Sequence, residues 1–93
     1  MIFTSTRTEG DHGYAAMAAK MEELAKQQPG YLGFESARDG LGITVSYWES
    51  LEAIARWKAH TDHQLAQKGG RASWYSRYKV RICRVEREYE FNR

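Results

Sequence analysis

The spacing of apolar residues along the chain alternates between a period of two, typical of strands, and a period of three to four, typical of helices. Between Gly10 and Pro29 the apolar residues fall three or four positions apart and predict an amphipathic helix. Elsewhere, short runs of β-branched and aromatic residues predict strands. The predicted elements are strands over 2–7, 31–38, 41–48 and 77–91 and helices over 11–27, 50–59 and 61–69.

The predicted second and third strands are separated by Asp39-Gly40, a pair of residues that favours a two-residue hairpin loop. A loop of that length pairs Arg38 with Leu41 and fixes the register of the two strands. Since side chains alternate between the faces of a sheet, this register places Phe34 and Val45 on one face. We therefore expect the apolar residues of both strands to collect on that face.

A break is predicted within the second helical region. Ser50 is a good N-cap for a helix that starts just after it. Thr61 and Gln64 have the spacing of a capping box, which marks the start of a new helix. The pattern therefore predicts two short helices that meet near His60.

The order strand, helix, strand, strand, helix, strand is that of the α+β ferredoxin-like βαββαβ fold, here with a broken second helix, in one domain over 1–93. In this fold the helices cover one face of the sheet. The apolar phase of the long last strand switches between Ile82 and Val85, which predicts a bulge or a change of partner. The uncovered face and this strand together predict a homodimer.

Composition excludes several classes of function. The net charge of +2 over 93 residues gives no basic surface of the kind that binds nucleic acid. No segment approaches the ~20 apolar residues of a membrane span, and the first residues do not resemble a signal peptide. The single cysteine, Cys83, has no partner for an internal disulfide. These features predict a soluble cytoplasmic protein.

Aromatic and imidazole side chains concentrate in the second half of the chain. All three tryptophans and two of the three histidines lie between positions 47 and 84. An aromatic wall with a few polar groups is typical of a site for a small hydrophobic or aromatic ligand, although a tryptophan-rich core has the same composition. The candidate residues are Trp48, Trp57, His60, His63, Arg71, Trp74 and Tyr75.

Several motifs resemble those of the antibiotic biosynthesis monooxygenase superfamily, in particular a subgroup of small bacterial proteins. They are the strand entry Pro29-Gly30-Tyr31-Leu32-Gly33, then Ser46-Tyr47-Trp48, Trp57-Lys58-Ala59-His60, His63 and Ala66-Gln67. The resemblance implies a dimeric α/β barrel with a cavity between helices and sheet. Relatives in this superfamily include oxygenases of aromatic polyketides that need no cofactor, haem-binding and haem-degrading proteins, and quinol oxidases.

The resemblance implies, as one reading, a cofactor-independent monooxygenase for a small aromatic or quinone-like substrate. In that reading His60 and His63 are candidates for proton transfer, because imidazole titrates near neutral pH. Arg71 is a candidate to hold a developing oxyanion. The cavity walls would be formed by Trp48, Trp57, Trp74 and Tyr75. Each residue also has a structural reading, as a helix cap, a core side chain or a dimer contact.

Two alternatives to the enzyme remain open: a dimer that binds haem or another ligand without turnover, and a structural dimer whose cavity is filled by its own side chains. Haem-degrading relatives use an Asn, a Trp and a His. Trp57 matches the Trp, but Thr6 and Gln67 stand at the Asn and His positions, so haem degradation is the less favoured reading. His60 and His63 lack a third ligand of a zinc motif, so no metal site is predicted.

Overall fold

The computed structural model describes the backbone of residues 1–67 and 73–93 and the side chains of 1–65 and 73–93. The order of elements is β-α-β-β-α-β, so the predicted α+β ferredoxin-like fold is confirmed. The elements are β1 (Ile2–Arg7), α1 (Tyr14–Lys26), β2 (Tyr31–Asp39), β3 (Leu41–Trp48), α2 (Leu51–Gln67) and β4 (Tyr75–Arg81).

The four strands form one antiparallel sheet in the order β2-β3-β1-β4. β1 lies in the middle, where Phe3 is opposite Thr44 of β3 and Val80 of β4. Residues alternate between the two faces of a strand, so this row lies on one face. That face lies under the helices, and the opposite face carries Ile43 and Val45.

The register of the β2–β3 hairpin differs by one residue from the prediction. Arg38 is opposite Gly42, not Leu41, and Gly40 takes a positive φ of 78° at the turn. A slip of one residue moves every side chain of one strand to the other face of the sheet. Phe34 therefore faces the helices together with Ser46, and Val45 lies on the opposite face.

The second helix is continuous, so the predicted break near His60 is wrong. α2 runs for 17 residues through that position. Thr61 does not cap a new helix, because its Oγ1 donates a hydrogen bond to the carbonyl of Lys58, one turn back, at 2.9 Å. A Lys58–Asp62 ion pair of 2.8 Å spans the same turn. The predicted cap at Ser50 is confirmed by the bond from Ala53 N to its Oγ at 3.1 Å.

The last strand is shorter than the predicted 77–91. β4 ends at Arg81, and residues 82–93 form no helix or strand within the described chain. The apolar side chains of this tail are exposed: Ile82, Val85, Tyr89 and Phe91. The change of apolar phase therefore falls outside the sheet, where no strand of the same chain pairs with it.

Among the helices described, none combines the length and the apolar character that a bilayer crossing requires.

Candidate functional site

A cavity of about 390 Å³ lies between the two helices and the sheet. Its volume falls within the range of roughly 300–1,000 Å³ found for small-molecule sites. The helices contribute Tyr14, Met17, Ala18, Ala19, Met21, Glu22, Trp57, Lys58, Thr61, Asp62 and Leu65. The sheet side contributes Met1, Phe3, Phe34, Ser36, Thr44, Ser46, Tyr75, Tyr78 and Val80.

The cavity exists because the sheet carries small side chains under the helices. Ser36, Thr44 and Ser46 occupy neighbouring positions of β2 and β3 on the face where a packed core would carry large apolar residues. Above them, α1 presents the flexible side chains of Met17 and Met21. Methionine adapts to ligands of different shape because its side chain is unbranched and polarisable.

An aromatic stack closes one side of the cavity. Trp57 is 4% exposed and lies between Trp48, at a centroid distance of 5.6 Å and 29°, and His60, at 5.6 Å and 18°. Tyr31 meets Trp48 edge-on at 5.8 Å. Of these four rings, Trp57 is the one that lines the cavity. The stack therefore fixes the orientation of the Trp57 wall.

Within the described residues, two polar atoms of this stack are buried without a hydrogen-bond partner: Nε1 of Trp48 and Nε2 of His60. An unpaired buried polar group costs about 1–3 kcal/mol of stability. The ring of His60 is stacked on that of Trp57 outside the cavity lining, and its Nε2 is enclosed by protein. His63, on the same helix, is exposed, and neither histidine is among the cavity-lining residues.

The sequence-predicted site residues are only partly brought together. Trp57 and Tyr75 line the cavity, and Trp48 lies behind Trp57. Trp74 is buried beside Tyr14, with its Nε1 donating to the carbonyl of His12 at 2.8 Å. Arg71, the predicted oxyanion-binding residue, lies outside the described residues.

Of the residues at the haem-motif positions, Trp57 lines the cavity and Thr6 does not. Thr6 follows Ser5, which points towards the helices, so Thr6 points to the opposite face of the sheet. Its hydroxyl is hydrogen-bonded to that of Ser76 at 2.8 Å. The side chain of Gln67 lies outside the described residues. In the described chain, no group of three or more His, Cys, Asp or Glu side chains is arranged to hold a metal ion.

The other end of the cavity is lined by Tyr14 and Tyr75, and Arg7 and Arg38 lie beside these rings outside the lining; we call the four residues the Arg–Tyr end. The guanidinium of Arg7 lies over the ring of Tyr14, with Cζ 3.6 Å from its centroid, and Arg38 approaches the same ring at 5.9 Å. Contacts of this kind are cation–π interactions. Tyr75 meets Tyr14 edge-on at 5.7 Å.

Arg38 crosses from β2 over β3 to reach β1. Its Nη1 donates to the carbonyl of Ser5 at 3.1 Å, and its Nη2 donates to the Ser5 hydroxyl at 2.5 Å. The guanidinium passes over Gly42, where an added Cβ would lie 2.2 Å from Cζ of Arg38. The glycine therefore makes room for the arginine, and the buried Ser5 anchors it.

Burial raises the pKa of the Tyr75 hydroxyl, and the neighbouring Tyr14 hydroxyl raises it further. Arg38 and Arg7 oppose this effect without reversing it. Tyr75 consequently keeps its proton throughout the neutral range and acts there as a hydrogen-bond donor.

Of the four residues of the Arg–Tyr end, the sequence predicted only Tyr75 as a site residue. Arg7 and Arg38 fall within predicted strands and Tyr14 within the first predicted helix, with no functional role predicted for them. One signal was present in the sequence: Arg38 has the same strand phase as Phe34, two positions from Ser36, and so shares the face of an apolar residue. The predicted register paired Arg38 with Leu41 instead of Gly42, so it did not show that the Arg38 side chain could cross β3 over a glycine.

Comparison with known proteins gives the chain a family. The sequence profile described as "Antibiotic biosynthesis monooxygenase" matches residues 1–69, which include the first four elements and all of α2. The uncharacterised protein YqjZ of Bacillus subtilis (strain 168) is 50% identical over 93 residues, covering 98% of this chain and 82% of its own length.

Two solved structures share the fold. One, from Nitrosomonas europaea and described provisionally as an antibiotic biosynthesis monooxygenase, has a TM-score of 0.63 at 18% identity, covering 84% of this chain and 80% of its own. The other, PA3566 of Pseudomonas aeruginosa, has a TM-score of 0.62 at 21% identity, covering 90% of each chain. With a cavity between helices and sheet and a profile match over most of its length, this chain belongs to the antibiotic biosynthesis monooxygenase family.

Proposed function

We propose that this protein is a cofactor-independent monooxygenase that acts on a small aromatic or quinone-like substrate in the cavity between helices and sheet. The observation that carries the proposal is the cavity itself, with its aromatic wall, adaptable methionines and small polar floor. Family membership supports the reaction class, since the family is described by its monooxygenase members. The volume and the apolar walls of the cavity limit the size and the polarity of the proposed substrate.

The reaction balances without an external reductant when the substrate is an electron-rich ring system with an activated methylene group. Loss of a proton from the methylene gives a carbanion that reacts with dioxygen. One oxygen atom becomes the new carbonyl, and the other leaves as water with the two hydrogens of the methylene. The carbon loses four electrons and dioxygen gains four, so the protein needs to supply only binding, water exclusion and proton transfer.

The cavity offers two of these three contributions through identified residues. Trp57, Phe3 and Phe34 supply apolar walls that exclude water from a carbanion. The small hydroxyl side chains of Ser36 and Thr44 leave space for a flat ring system. Proton transfer by His60 or His63 stays a prediction, because both lie outside the cavity lining.

The test is dioxygen uptake with a panel of hydroxylated tricyclic aromatics, comparing a cavity-filling variant with a matched surface variant. Ala18 lines the cavity, and Ala15, one turn earlier on α1, is exposed. We expect Ala18→Phe to reduce uptake at least tenfold because the new ring occupies the substrate volume, and Ala15→Phe to leave it unchanged. Equal dioxygen uptake by both variants would show that the reaction does not take place in this cavity.

We further propose that two copies of the chain associate through the sheet face that the helices leave uncovered. Leu41 and Ile43 of β3 are 46% and 43% exposed, and the tail residues Tyr89 and Phe91 are 87% and 82% exposed. Exposed apolar side chains on a small chain favour association. Pairing of the tail with the partner's sheet would cover these side chains.

A further inference from the structure

We propose that the Arg–Tyr end of the cavity is a binding site for the oxyanion of a hydroxylated aromatic ligand, so that the protein takes up its ligand as the phenolate. This inference deepens the proposed function, on which it rests, by naming the ionisation state and the orientation of the substrate.

The first observation is a positive charge without a carboxylate partner. The ion pairs of the described residues are Lys26–Glu23 and Lys58–Asp62, and neither includes Arg7 or Arg38. Both arginines instead donate to neutral groups: Arg7 to the carbonyls of Trp74, Gly10 and Asp11, and Arg38 to Ser5 and the Gly40 carbonyl. No carboxylate of the described residues therefore neutralises their charges, although solvent screens the exposed Arg38.

The second observation is that the position of this charge is built into the backbone. Gly42 has no side chain where a Cβ would strike the Arg38 guanidinium, and Ser5 holds that guanidinium through its hydroxyl and its carbonyl. The face of Tyr14 lies against the guanidinium of Arg7. A charge that is fixed before the ligand arrives costs little reorganisation on binding.

The third observation is that two tyrosine side chains line this end of the cavity beside the arginines. Tyr14 and Tyr75 both line the cavity, and the arginines contact the ring of Tyr14. A tyrosine hydroxyl carries its proton at neutral pH and can donate it to an oxyanion. We assign Tyr14 and Tyr75 the direct contacts with the ligand oxyanion, and Arg7 and Arg38 positioning and electrostatic roles behind them.

The remaining ionisable groups of the cavity determine which way the ligand lies. On the helix side these groups are Glu22 of α1 and the paired Lys58 and Asp62 of α2. On the sheet side the α-amino group of Met1 donates to the carbonyl of Ser46 at 2.8 Å, and Tyr78 of β4 lines the cavity with its ring stacked on Phe3. β3 contributes only neutral side chains to the lining. The carboxylates of the helices repel an anionic ring oxygen, and the Met1 ammonium, which attracts it, is a single charge against the two of the Arg–Tyr end.

A consequence concerns proton transfer. A site that binds the phenolate more tightly than the phenol lowers the pKa of the bound ligand by the same factor. Ionisation of the ring hydroxyl then requires no histidine at the cavity. This agrees with the positions of His60, stacked behind Trp57, and His63, which is exposed.

The test uses 2-hydroxyanthraquinone, whose phenolate absorbs at longer wavelength than its phenol, with the intact chain in saturating excess. A pH titration of the absorbance gives the pKa of the bound dye, which is compared with that of the free dye. We expect a decrease of at least one unit, which corresponds to about tenfold tighter binding of the phenolate.

Two variants address the charge by different routes. Arg38→Gln removes it, and Gly42→Ala displaces it by placing a Cβ where the guanidinium lies. Both are expected to cancel at least half of the pKa decrease. Tyr75→Phe is expected to weaken phenolate binding and leave phenol binding nearly unchanged. The controls are Arg56→Gln, which removes an exposed cation of α2 outside the cavity lining, and Tyr89→Phe, which removes an exposed hydroxyl.

The inference is overturned if the dye does not bind, if its pKa is unchanged on binding, or if the Arg56 control cancels the shift as fully as the Arg38 and Gly42 variants do. The inference stands, and the proposed oxygenase function fails, if the shift is present but no aromatic substrate supports dioxygen uptake. The two results are therefore separable in one set of protein samples.

Discussion

At the scale of single residues, the cavity depends on side chains that are small where close packing would favour large ones. Ser36, Thr44 and Ser46 leave its floor open, and Gly42 leaves a path for Arg38. Gly30 is small for a different reason: its backbone φ is 85° and the α2 residue Ala53, which is 2% exposed, packs closely against it. Small side chains therefore leave open space at the cavity and allow close packing at Gly30.

Gly30→Ala should destabilise the fold more than Gly40→Ala. Both glycines have positive φ, so alanine at either position costs about 1–2 kcal/mol of conformational strain. At Gly30 the new Cβ would also lie 2.7 Å from Cβ of Ala53, whereas nothing lies within 4 Å at Gly40. Overpacking adds about 1–3 kcal/mol. Urea denaturation measures both; equal losses would show that the β2 entry does not pack on α2 as described.

Tyr75 should make the protein sensitive to alkaline pH. Its pKa is raised above 10.0 in the folded chain, so above pH 10 the unfolded chain loses this proton more readily. The unfolded state then binds fewer protons, and the free energy of unfolding falls as pH rises. Below pH 10 the residue adds no pH dependence.

The check is chemical denaturation of wild type and Tyr75→Phe between pH 9 and pH 11. The variant should lose stability less steeply with pH, while Tyr89→Phe, at an exposed tyrosine, should follow wild type. Parallel curves for wild type and Tyr75→Phe would contradict the burial of the Tyr75 hydroxyl.

At the scale of elements, the sequence predicts the βαββαβ order, but it divides α2 into two helices and misplaces the register of the hairpin. Thr61 and Gln64 have the spacing of a capping box, but in the structure the Thr61 hydroxyl donates to the carbonyl of Lys58, three residues earlier in a continuous helix. A short polar side chain can satisfy either role, and tertiary packing of Trp57 and Leu65, both buried, decides between them.

The hairpin shows a similar limit. Asp39-Gly40 indicates a turn, but the observed register pairs Arg38 with Gly42, and the contact that fixes it reaches a third strand at Ser5. A local turn preference contains no information about that partner. The same limit applies to the site residues. Trp57 and Tyr75 could be predicted from the composition of the sequence, whereas the position of the Arg38 side chain depends on the strand register.

Asp62→Pro distinguishes a continuous α2 from a broken one. In a continuous helix, proline at this interior position removes a backbone hydrogen bond and costs about 3 kcal/mol or more. In a helix that starts at Thr61, position 62 is the first helical residue, where proline is well tolerated. Asp62→Ala removes the ion pair with Lys58 and serves as the control, with an expected loss of about 0.5 kcal/mol. Equal stabilities of the two variants would favour the broken helix.

At the scale of the whole molecule, the cavity lies between the helices and one face of the sheet, and the helices leave the other face uncovered. The tail of residues 82–93 extends beyond β4 with its apolar side chains exposed. A chain of 93 residues has limited capacity to bury such surface by itself. The proposed association would therefore stabilise the sheet without entering the cavity.

A chain ending after Val85 should sediment with a smaller dimer fraction than the full chain at the same concentration, because it lacks Tyr89 and Phe91. The matched control is the full chain with Glu88→Gln and Glu90→Gln, which keeps the apolar residues and changes only charge. A truncated chain that is as dimeric as the control would exclude the tail from the interface, and a fully monomeric full chain would exclude the dimer.

The central claim is that the cavity oxygenates an aromatic substrate with dioxygen alone. The most direct measurement is turnover of a hydroxylated tricyclic methylene compound under ¹⁸O₂, with mass analysis of the product and of dioxygen consumed. We predict one labelled oxygen atom in each product carbonyl, one dioxygen consumed per product, and loss of both in Ala18→Phe but not in Ala15→Phe. Product formed at the rate of the buffer control, or without label, would contradict the account.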